Sequence, residues 1–152
     1  RLNSSVRAHM KIVATAAISL AFLSACASHV LDESTPFFPK VAPPHAGTEQ
    51  VMLTAAFRGE PIVERGCVKV RSPGSSSATT VLWYQGAELG RDAQGLFLRD
   101  QRSSRMVRFN EPANFGGGSA PSEYVERAYP EVARRCGGPY AFGYLGDPHA
   151  AP

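Results

Sequence analysis

The chain has 152 residues, 43% of them hydrophobic and 19% charged, enough for one small domain. Its 14 glycines and 12 prolines are too many for a helical bundle and point to a turn-rich fold. The formal charge of +3 sits at the front, where Arg1, Arg7 and Lys11 precede Cys26 without an acid; the rest of the chain is balanced, so nucleic acid is not an expected partner.

Residues 1–9 read as an upstream extension and residues 10–25 as an export signal. Met10-Lys11 gives a short positive start, and Ile12 to Leu23 is an uncharged apolar run. The run is too short to cross a hydrocarbon core of about 30 Å, and it fits the central region of a signal peptide. The competing reading, a buried helix followed by a chance cysteine, lacks the polar face that a helix at a protein surface needs.

The run ends in Leu23-Ser24-Ala25-Cys26, which resembles the lipobox of bacterial lipoproteins. That resemblance implies cleavage before Cys26, a diacylglycerol group on its thiol, and the membrane as a partner through that lipid. Ala27 stands where an aspartate would favour retention at the inner membrane. The resemblance therefore implies an outer-membrane protein facing the periplasm.

Residues 26–49 form a Pro-rich stretch with Pro36, Pro39, Pro43 and Pro44, which break helix and ladder alike. It reads as a spacer that reaches roughly 70 Å when extended and about 25–30 Å as a coil. Phe37-Phe38 interrupts it, and so large an apolar pair is expected to dock on the domain's own surface rather than on the bilayer.

Residues 50–146 hold the fold. Val51 to Phe57 and Cys67 to Arg71 alternate with period two and predict strands. Ala78 to Tyr84 is β-branched and aromatic and predicts a buried strand, with Trp83 in the core and Tyr84 the more exposed. Gly95–Arg99 and Arg105–Phe109 flank the polar turn Asp100 to Ser104 and predict a hairpin. Pro73 to Ser77 and Asn114 to Ser119 read as loops. Ser122 is placed to cap a helix whose apolar face is Val125, Tyr129, Val132 and Cys136, with an interruption at Pro130 and a stop at Gly137-Gly138. Pro139 to Leu145 predicts a last strand, and residues 147–152 a disordered tail. The fold class is mainly β: a small antiparallel barrel or sandwich with one short helix before the last strand. Gly66 to Val70, Val81 to Trp83, Gly116 to Gly118 and Cys136 to Tyr140 resemble a small OB-like β-barrel module of uncharacterised exported bacterial proteins, which implies no particular activity.

In an exported chain, Cys67 and Cys136 are left after lipidation of Cys26 and are expected to form a disulfide. No C-x-x-C and no nearby His completes a metal set, so no metal or cofactor is expected. All four histidines lie outside residues 50–148, which removes the usual Ser-His and Cys-His machinery from the domain. The carboxylates between Glu60 and Glu131 show no spacing that singles out a glycosidase pair. Gly116-Gly117-Gly118 lacks the Lys-Ser/Thr of a phosphate loop. Two candidates for binding remain. Arg99, Arg102, Arg105 and Arg108 form a basic hairpin tip opposed locally by Asp100 alone, and Tyr84 ends a strand where a ring can stack on a ligand. Trp83 to Leu89 also resembles a segment of membrane-bound lysozyme-inhibitor lipoproteins, without their Ser-Gly loop.

The sequence therefore points to a lipid-anchored envelope protein with a non-catalytic binding or structural β-domain. Cell-wall polymer or another envelope protein is the expected partner. The alternatives are a carboxylate-dependent enzyme acting on cell-wall glycan and an inhibitor of a wall-degrading enzyme.

Overall fold

A computed structural model describes residues 35–146. The leader, Cys26 and its lipobox, and the tail 147–152 lie outside the described residues. The elements run β1 (Ala55–Glu64), β2 (Cys67–Arg71), β3 (Ala78–Trp83), β4 (Ala87–Asp92), β5 (Gly95–Asp100), β6 (Met106–Arg108), β7 (Ala113–Ala120), α1 (Ser122–Ala128), α2 (Pro130–Cys136) and β8 (Tyr140–Tyr144). Five strands close a barrel in the order β1-β2-β3-β8-β7, and β4-β5-β6 form a separate three-stranded meander. The fold is thus mainly β and barrel-like, as the sequence predicts, with two short helices before the last strand. Every barrel pairing is antiparallel except β3 with β8.

β1 serves two partners. Ala55 to Gly59 pair with β7, and Glu60 to Glu64 pair with β2. The change of partner falls at Gly59, where a Cβ would strike the Val70 side chain and the Arg71 carbonyl. Glycine lets the two strands approach at this corner of the barrel. Arg65 and Gly66, at φ 52° and 75°, make the two-residue turn into β2, a form that requires positive φ at both positions.

Two apolar clusters lie on opposite sides of β3. Val81 and Trp83 face the barrel interior with Val68, Val70, Phe115 and Leu145, and Leu98 and Val107 of the meander join them. Leu82 and Tyr84 face outward into a second cluster with Val125, Val132 and Tyr140. Both faces of β3 are therefore covered, which explains the apolar run from Val81 to Tyr84. Trp83 packs edge-on to Phe115 and stacks against Phe38. Its indole N–H has no hydrogen-bond partner among the described residues, so its contribution is volume and ring contact.

Several expectations need correction. The stretch Val51 to Thr54 alternates but is not a strand, and β1 instead begins at Ala55 and runs on through Pro61. Asn114 to Ser119 is not a loop but the body of β7. Its glycines admit neighbours: a Cβ at Gly116 would overlap the Tyr144 ring, and one at Gly117 (φ 146°) would overlap the Phe142 carbonyl. Ser122 does not cap the helix, because Pro121 occupies that position and no side chain caps it. The break at Pro130 is present and separates α1 from α2, and Gly137 ends α2 at φ 66°.

The Pro-rich stretch 26–49, read as a spacer, joins the fold at its centre. Pro36, Pro39 and Val41 are buried. Phe37 N–H donates to the Gly66 carbonyl at 2.7 Å, and Val68 N–H donates to the Phe37 carbonyl at 2.9 Å. Val41 N–H reaches the Trp83 carbonyl, and Trp83 N–H reaches that of Pro39. Residues 35–41 thus form a strap along β2 and β3, and Phe37-Phe38 dock on the domain as expected.

Candidate functional site

Cys67 and Lys69 of β2 and Thr80 and Leu82 of β3 alternate with the barrel's inward residues and point to its outer face. In this chain that face is covered. Cys67 is joined to Cys136 of α2, with Cα atoms 5.7 Å apart. Thr80 Oγ1 donates to the Gly137 carbonyl at 2.6 Å. Phe37 lies across the same face, with the Arg135 guanidinium of α2 3.9 Å from its ring centroid. Lys69 is buried there and donates to Glu64 at 3.0 Å. The expected disulfide is therefore present, and it fastens the helices to the barrel.

Tyr84 is not exposed as expected; it retains 4% of its surface, against 0% for Trp83. The sequence places the two on opposite faces of β3, but α1 and α2 cover the outer face as fully as the barrel covers the inner one. The Tyr84 hydroxyl donates to the Val51 carbonyl at 3.2 Å, and burial raises its pKa above the ordinary phenol value. Its ring lies among Phe142 and Tyr144, so Tyr84 is a packing residue and offers no face to a ligand.

The four arginines do not form one basic face. Arg99 pairs with Glu88 at 3.0 Å, across the β4–β5 ladder in which the two residues are directly opposed. Arg108 makes two 2.7 Å bonds to Asp92 and lies over the Phe97 ring. Arg105 turns inward and donates to the Leu145 carbonyl at 2.6 Å and the Asn114 carbonyl at 2.9 Å. Arg102 is exposed at the turn. Asp100, the acid nearest in sequence, opposes none of them. Buried, it accepts from Arg102 N–H, Ser103 N–H and Ser103 Oγ and so holds the turn. The neutralising acids come from β4, a strand with no clear apolar pattern in the sequence.

An open groove adjoins the strap. About 440 Å³ in volume, it lies between the strap and the meander, with Phe38, Leu89 and Phe97 as apolar lining and Lys40, Glu88 and Arg99 as polar lining. The Lys40 ammonium sits 5.9 Å from the Phe38 ring centroid. Glu88 accepts from Arg99 and Gln101, whose hydrogen bonds hold its carboxyl below the ordinary range, and Lys40 adds to the same effect. Arg99 belongs to the arginine-rich hairpin that the sequence marks, but nothing in the sequence connects Lys40 or Phe38 with residues some fifty positions later. Only the docking of the strap brings them together. Among the described residues no group of three or more His, Cys, Asp or Glu side chains is placed to hold a metal.

Comparison with protein-family models, curated proteins and solved structures finds no match for this chain.

Proposed function

We propose that this chain is a lipid-anchored cell-envelope protein whose barrel binds a partner and does not catalyse a reaction. The observation that carries the reading is the Cys67–Cys136 disulfide, since a buried structural disulfide is the mark of an oxidising compartment. It agrees with the lipobox at Cys26, and together they favour the periplasmic side of the outer membrane. Three ion-paired carboxylates are unsuited to the proton donation that glycan cleavage needs. Hydrogen bonds from Lys69, Arg99 and Arg108 hold Glu64, Glu88 and Asp92 respectively below their ordinary pKa values. A glycosidase needs one carboxyl shifted the other way, so that it can donate a proton near neutrality.

Intact mass of the protein extracted from membranes, under non-reducing conditions, tests the reading. The expected species begins at Cys26, carries the mass of a diacylglycerol and lacks two hydrogens. An unprocessed chain with free thiols would overturn both the anchor and the compartment. Incubation with purified cell wall separates the activities. Co-sedimentation supports the binder, release of soluble fragments would establish the enzyme, and protection of the wall from added lysozyme would establish the inhibitor.

A further inference from the structure

We propose that the groove between the strap and the meander receives the phosphate-bearing headgroup of an anionic bilayer lipid beside the protein's own anchor. Three observations converge on it. The first is charge. Among the described residues, Glu88 is the carboxylate ion-paired with Arg99, and Lys40 has no ion-pair partner. One carboxylate thus faces two cations, and a phosphate would supply the second negative charge as a charge-assisted acceptor. The second is shape. The volume of about 440 Å³ lies in the range of small-ligand sites, and Phe38, Leu89 and Phe97 give an apolar wall for the glycerol and first acyl carbons.

The third is chain length. Thr35 lines the groove itself, and only residues 27–34 separate it from Cys26. At 3.3–3.6 Å per residue they span at most about 30 Å. On the lipid-anchor reading, on which this inference rests, the chain therefore keeps the groove within about 30 Å of the bilayer. A free ring face, as sugar stacking requires, is missing, because Phe38 has Trp83 and Lys40 against it and Phe97 has Arg108.

The test uses the chain from position 26 onward carrying Cys26→Ser, which contains every element of the barrel and no lipid. Amide resonances are followed by NMR during titration with monomeric dihexanoyl phosphatidylglycerol, dihexanoyl phosphatidylcholine and inorganic phosphate. Phosphatidylglycerol is expected to shift Lys40, Leu89, Gly90 and Phe97, and Lys40→Gln to weaken that binding about tenfold while resonances remote from the groove stay in place. Equal shifts with phosphatidylcholine, equal shifts with phosphate alone, indifference to Lys40→Gln, or no shifts in the groove would each overturn the proposal. Because the tested chain has no lipid, such a failure leaves the anchor reading to the mass measurement.

Discussion

Arg102 and Arg105 are three residues apart in one polar turn, and nothing in the sequence ranks them. The fold does. Arg105 closes the carbonyls of Leu145 and Asn114 against the end of the barrel, whereas the Arg102 side chain is exposed. Removing a charged donor leaves its acceptors unpaired, which costs about 2 kcal/mol. Arg105→Gln is therefore expected to lower the unfolding free energy by about that amount, and Arg102→Gln to change it by less than about 0.5 kcal/mol; urea unfolding of the two variants measures both. The same inversion holds at Tyr84. Side-chain alternation correctly sends it away from Trp83, but which layer covers the outer face is decided by α1 and α2, far along the chain.

The meander shows what patterning can and cannot reveal of an element. The β5–β6 hairpin is legible because Leu98 and Val107 are inward residues on either side of a polar turn. β4 is not, because its outward positions carry Glu88 and Asp92 and its Gly90 lies beneath the Phe97 ring. β7 is missed for a related reason: glycines that signal a loop in isolation here make room for Tyr144 and Phe142. Glu88 and Asp92 give the meander a pH dependence of definite sign. Both carboxyls titrate below their ordinary values of 4.5 and 3.8 once paired with Arg99 and Arg108. A depressed carboxyl stabilises the fold fully above its unfolded value and progressively less as pH falls through the folded one. The urea midpoint is expected to decline as pH drops below about 4.5, and the double variant Glu88→Gln, Asp92→Asn to decline less steeply over the same window.

For the whole molecule, the strap changes where the domain begins. Composition places the boundary at Gln50, because four prolines look like a spacer. Yet Phe37, Phe38 and Val41 pack on the barrel, and Trp83 is bonded to the strap through both its N–H and its carbonyl. A chain begun at Gln50 is expected to unfold about 2–3 kcal/mol more easily than one begun at Thr35, the apolar burial of the strap less the entropy of ordering it. Equal stability of the two in urea would mean that the strap rests on the barrel without supporting it. The disulfide acts at the same scale. Its partners are 69 residues apart, and closing so long a loop stabilises a small domain by about 4 kcal/mol in the chain-entropy account.

The position of β8 carries a consequence for the order of assembly. This last strand is the stave between β3 and β7, bonded to each. Until residues 140–144 arrive, the sheet has two open edges and no closed interior, and open edges invite pairing with other chains. A polypeptide made from its N-terminus therefore has no closed barrel to fold into until residues 140–144 have emerged. Closure of the barrel thus waits on its final stave, and its earlier strands are held in suspense until that one arrives.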